Sequence, residues 1–227
     1  MKRERRTICL LAASLAPLVA LSFSPHKGEA EVEHQYAPLR EVKLELKDFS
    51  FSTLEGATLN LREAARGKRL ILVTYFAAWC HNSNYDVETI NELYTKYREP
   101  GLAVVGVCEY SSPEELRGFI ERHKPTYPIC LEGGDQIKDR SATTHYHYRK
   151  QAGDQRRWGT PFSILISADE MREQGETITK RAHAAAGELI KAEAEEFIRQ
   201  QLSISNSSSR VASHKLRAGN QPRSSEH

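Results

Sequence analysis

The sequence predicts an α/β fold in which a mainly parallel sheet carries helices on both faces. Three observations carry that prediction. Leu70 to Phe76 and Leu102 to Cys108 are nearly continuous apolar runs, the pattern of strands covered on both sides. Between them, Asn84 to Arg98 switches to a helical period, with Val87, Ile90, Tyr94 and Tyr97 on one stripe. The remainder of the chain continues the alternation of strand-like and helix-like segments.

The elements follow in order. Met1 to Arg6 carries Lys2, Arg3, Arg5 and Arg6, and Ile8 to Phe23 is apolar and uncharged. A basic start before a short apolar run predicts a signal peptide or N-terminal anchor over residues 1–24. The run falls short of the roughly 20 apolar residues of a full membrane span. Residues 25–41 are polar and read as a linker. Val42, Leu44 and Leu46 alternate with charged residues as in a half-buried strand. Phe49 and Phe51 continue in the opposite phase, which predicts a break or bulge near Lys47-Asp48. Leu54 to Ala57 is a turn, and Leu59 to Leu61 a brief return.

Pro100-Gly101 ends the first long helix. Ser112-Pro113-Glu114-Glu115 supplies an N-cap, a proline in the first turn and a capping glutamate for a second. That helix turns Leu116, Phe119, Ile120 and His123 inward. Short strands are expected at Tyr127 to Leu131, Phe162 to Ser167 and Thr177 to Ala184, and a last helix over Gly187 to Leu202. The domain is therefore placed at residues 42–202, and residues 203–227, serine-rich and basic, read as a disordered tail. The formal net charge of +2 gives no case for nucleic acid as a partner. Contact with a membrane is expected only if the N-terminal segment is retained.

The chemistry centres on Phe76-Ala77-Ala78-Trp79-Cys80-His81-Asn82-Ser83. A buried strand precedes it and an amphipathic helix follows, so Cys80 lies at a helix start. Free N–H groups and the helix dipole there favour a thiolate, the nucleophile of disulfide exchange.

Tyr75 to Cys80 resembles the active-site strand of the thioredoxin superfamily, where Trp-Cys-x-x-Cys is the rule. Phe49 to Leu61 with Gly67-Lys68, then Gly101 to Val107, then Gly159-Thr160-Pro161 before Phe162 to Ile166 are similar to its TlpA-like, redoxin branch. The resemblance spans about residues 42–202. It implies a thioredoxin-like three-layer fold, with a central mixed sheet, helices on both faces and an N-terminal β-hairpin. It further implies a cis proline at Pro161, with Thr160 presenting backbone groups to substrate beside Trp79 and His81.

One departure is decisive: Ser83 stands where the branch has its second cysteine. Cys80 can form a mixed disulfide, but nothing within the motif can resolve it. The expectation is an exported monothiol thiol–disulfide oxidoreductase, with protein thiols and disulfides as clients and an external thiol donor. The alternative is a redox-inactive protein that binds clients through the proline groove. Peroxiredoxins carry Thr or Ser three residues before their cysteine; Ala77 stands there, which argues against peroxidase activity.

Cys9 lies in the leader. Cys108 and Cys130 are read as a disulfide or as buried free thiols, ahead of Cys108 resolving Cys80. His145 and His147 with Cys80 suggest copper, but a spacing of two does not suit the helix expected there, so no metal or other cofactor is expected. Arg149, Lys150, Arg156 and Arg157 are read as a solvated helix and turn, ahead of steering an acidic client toward the site, and Trp158 with Trp79 as packing at the site's rim.

Overall fold

In a computed structural model of the chain, residues 33–133 and 139–204 are described. The leader (1–24), residues 25–32 of the linker and nearly all of the tail lie outside them. The chain from His34 forms one unit.

Strand β5 (Leu70–Phe76) is buried at every residue and forms the middle of an eight-stranded sheet. It pairs in parallel with β6 (Leu102–Cys108), which pairs in parallel with β7 (Ile129–Leu131). On its other side it pairs antiparallel with β8 (Phe162–Ser167), followed by β9 (Thr177–Ala185) and the edge strand β2 (Arg40–Lys47). The opposite edge is the hairpin β3 (Ser50–Ser52) and β4 (Thr58–Asn60), joined to β7. The sheet is therefore mixed.

Helices cover both faces, which explains the unbroken apolar runs of β5 and β6. On one face lie α2 (His81–Tyr97), α3 (Pro113–His123) and α5 (Lys191–Gln201), packing Ile90, Leu93, Phe119 and Ile198 against Leu72 and Val104. On the other lie α1 (Leu61–Ala65) and α4 (Thr144–Gln151), with Tyr148 and Leu61 against Ile71, Val73 and Val105. The Ser112 capping box at α3 forms as the sequence indicates.

Of the break or bulge expected near Lys47-Asp48, the chain makes the break. The chain leaves the sheet at Lys47 and re-enters at the opposite edge as β3, and Phe49 fills the core under α1 and α4. Within β2 the register also shifts between Lys43 and Leu46 and again between Leu46 and Lys47. The linker reading fails at its C-terminal end. Within it, β1 (Tyr36–Ala37) pairs with β10 (Glu188–Leu189), and Arg40 already belongs to β2. The buried Glu188 carboxylate accepts from Gln35 N and holds His34, which pins this segment. No helix among the described residues is long and apolar enough to cross a membrane.

Candidate active site

The site forms where β5 ends and α2 begins. Cys80 is the N-cap of α2, and its side chain caps nothing. Half-buried, its thiol donates instead to the Thr160 carbonyl at 3.4 Å. The next peptide bond, Thr160–Pro161, is cis. Cys80, Trp79, His81 and Thr160 thus line one open cleft, and Pro161 lies just inside.

Several contacts fix the loop that carries Cys80. Ala78 N donates to Ser111 Oγ at 2.9 Å, and Trp79 Nε1 donates to the Tyr110 carbonyl at 2.8 Å. Asn84 Nδ2 donates to the carbonyls of Ala78 and Cys80 at 3.1 and 2.7 Å. Ser83 is buried, and its hydroxyl accepts from Ala77 N at 3.4 Å rather than meeting the Cys80 sulfur. Ser83 shares a narrow cavity with Pro161 and Asp86. Burial raises the Asp86 carboxyl to about 7, against one opposing hydrogen bond from Leu189 N at 2.8 Å.

The loop facing Cys80 is held by side chains that the sequence reading assigned to solvent. Arg149 is 1% exposed, one of the most buried side chains of the domain. Its Nε donates to Asp154 Oδ2 at 2.9 Å, its Nη1 to the Trp158 carbonyl at 2.7 Å, and its Nη2 to the Arg156 carbonyl. Arg156 binds the same carboxylate, and its Nη2 donates to the carbonyls of Gly159 (3.1 Å) and Pro161 (3.0 Å). Gly159 has φ +69°, and a Cβ there would collide with the Arg149 guanidinium. The carbonyls of residues 158, 159 and 161 therefore point at the buried Arg149 and the half-buried Arg156, and that of Thr160 is left to face Cys80.

His145 completes this support. It is fully buried in α4 and stacks on Tyr75 at 5.2 Å. Its Nε2 faces the Gly159 carbonyl at 3.2 Å, which can only accept, so the proton sits there. Nδ1 then accepts from the Tyr110 hydroxyl at 3.0 Å. Burial first, then the Arg149 charge, lowers its pKa to about 3, so it is neutral. His147 is not part of this arrangement. No group of three or more metal-ligating side chains forms among the described residues.

The expected Cys108–Cys130 disulfide is corrected. In the β6–β7 register Cys130 stands opposite Val107, one position out of step with Cys108. Side chains alternate across a sheet, so the two sulfurs lie on opposite faces, Cys108 under α2 and Cys130 on the α4 side. Both are free and buried, and burial pushes each thiol up to about 12. Trp79 and Trp158 remain 44% and 37% exposed and meet edge to face at 5.4 Å, so they form the cleft's rim.

The chain is similar to the thiol-disulfide oxidoreductase ResA of Bacillus cereus, 26% identical over 140 residues, 60% of this chain and 75% of the relative. ResA of Geobacillus thermodenitrificans is 27% identical over 137 residues, with the same coverage of 60% and 75%. Another ResA is matched over only 51% of its length. Among solved structures, a thioredoxin family thiol:disulfide interchange protein from Chlorobium tepidum superposes with a TM-score of 0.52. It is 17% identical and the match covers 70% of this chain and 97% of that one, a likeness of fold alone. A family model matches residues 42–171, more than half of the chain: the protein belongs to the AhpC/TSA family.

Proposed function

We propose that this protein is an exported thiol–disulfide exchange protein that works with one sulfur, Cys80. The observation that carries the reading is the placement of a half-buried cysteine at the start of α2, 3.4 Å from the Thr160 carbonyl. The ResA relatives support the same class of chemistry.

The Cys80 thiolate attacks a client disulfide, forms a mixed disulfide and releases one client thiolate. Ser83 cannot displace the product. An external thiolate attacks the mixed disulfide, takes over the bond and releases Cys80 as thiolate. Atoms and electrons balance, because one disulfide is consumed and one is formed. Trp79 and His81 flank the attacking sulfur, and Thr160 with Pro161 forms the wall against which a client strand lies. Protein disulfides are the clients and an outside thiol is the co-reactant. Residues 1–24 direct export, and they tether the domain to a membrane only if they are kept.

Intact-mass analysis after exposure to a peptide mixed-disulfide probe tests this. Wild type gains one adduct under native conditions, and Cys80→Ser gains none. Equal labelling of both proteins would end the proposal.

A further inference from the structure

We propose that the cleft at Cys80 selects small thiols and disulfides carrying a carboxylate, with Arg140 and Arg157 as the anion-recognising pair. This names a substrate class for the site proposed above and rests on that reading.

Three observations converge. First, the cleft has a volume of about 450 Å³, within the range of small-molecule sites. Second, its lining includes Arg156, Arg157 and His81 but no carboxylate. Arg156 is already committed to Asp154 and to backbone carbonyls. Arg157 is exposed and makes no ion pair among the described residues.

Third, a second guanidinium is built in beside it. Arg140 lies 4.3 Å from the centre of the Trp158 ring and Arg157 lies 5.6 Å from the same ring. Arg140 Nη1 donates to the Arg157 carbonyl at 2.6 Å, which ties the two segments together. The neighbouring Asp139 carboxylate is occupied by the N–H and hydroxyl of Ser141. Two like charges held on one indole repel each other, the Asp139 carboxylate acting on Arg140 offsets part of this, and a bound anion relieves the rest. Arg140 spends Nη1 on the Arg157 carbonyl, and the Arg157 guanidinium makes no ion pair among the described residues; a guanidinium edge matches a carboxylate in two-pronged geometry.

The missing second cysteine gives this pair a use. The sulfur that completes the reaction has to arrive from solution, and a carboxylate on it docks against Arg140 and Arg157 while the sulfur reaches Cys80. In the resolving half the small thiolate attacks the client–Cys80 disulfide, takes over the bond to the client and releases the Cys80 thiolate; with a small disulfide as substrate, the Cys80 thiolate attacks one of its sulfurs and the other half leaves as thiolate.

The test uses three small symmetrical disulfides, anionic dithiodipropionate, neutral hydroxyethyl disulfide and cationic cystamine. Second-order rates with Cys80 are divided by those of a free model thiol, which removes intrinsic reactivity. The expected order is anionic, then neutral, then cationic, with the extremes at least about tenfold apart at low salt. Arg157→Gln, and more so R140Q/R157Q, brings the ratio toward one, Arg157→Lys retains most of it, and high salt removes it. Equal normalised rates for the three, with Cys80 reactive, would overturn the charge selectivity and leave the exchange reading intact. No reaction with any of them would overturn the exchange reading itself. A preference seen only when the charges are placed on decapeptide disulfides would overturn the assignment to small molecules.

Discussion

Asp154→Asn is the most informative single change for the scaffold behind the site. The carboxylate is 6% exposed as a residue and receives Arg149 Nε at 2.9 Å and Arg156 Nη2 at 2.8 Å. Burial alone would raise its pKa, but the hydrogen bonds from Arg156, with that from Arg149, outweigh burial and hold the carboxyl below its ordinary value. Asparagine keeps the shape and removes the charge, which strands the Arg149 guanidinium in the interior. Breaking a buried pair from one side costs about 3–5 kcal/mol. At a urea slope of about 2 kcal/mol/M this is a fall of roughly 1.5–2.5 M in midpoint. In thermal unfolding it is a loss of roughly 6–20 °C for a domain of this size. The acid has the lower pKa when folded, so its contribution is present above the unfolded value and is lost as pH falls through the folded one. The deficit of the variant therefore shrinks below about pH 4. A double-mutant cycle with Arg149→Met should return a coupling of about 2 kcal/mol or more, because the double variant strands no charge on Arg149. A single variant within about 0.5 kcal/mol of wild type would refute the reasoning, since this is the range of an ordinary surface change.

Three further outcomes are expected. Ser83→Cys places a second sulfur in the first turn of α2 and should raise insulin disulfide reduction from near background; no gain in that turbidity assay would argue against a redox groove. Asp86→Asn should flatten the loss of stability between pH 4 and 7: folded Asp86 keeps its proton to about 7 while the unfolded chain releases it near 3.8, so stability falls as pH rises through that window. The gain at pH 8, read by urea unfolding, is bounded at roughly 4 kcal/mol. Titration of the native domain with an aromatic disulfide should count one fast thiol, Cys80, with Cys108 and Cys130 reacting only after denaturation.

Much of this was legible in the sequence for physical reasons. A strand covered on both faces must be apolar throughout, so β5 and β6 announce themselves. The resemblance to the thioredoxin superfamily, with its motifs in the same order along the chain, implied that Thr160 and Pro161 face Cys80. What stayed hidden depends on folding back. Charged side chains default to solvent, and nothing local shows that Arg149 is buried. Its partners Asp154, Trp158 and Arg156 converge only because the segment between Gly153 and Gly159 loops around it. Asp154 and Arg156 between the positive-φ glycines Gly153 and Gly159, just after Arg149, are a usable signal in retrospect. Strand β1, at two residues, has no period to detect, and its anchor Glu188 lies over 150 positions away.

The one-residue offset between Cys108 and Cys130 constrains how this protein matures. A bond between those sulfurs can exist only in a chain whose β6 and β7 have not zipped together in their final register. Oxidant that reaches the nascent polypeptide first creates a dead-end species barred from completing its sheet. Strand assembly must outrun oxidation, and once it has done so the sheet itself keeps the two thiols from finding each other.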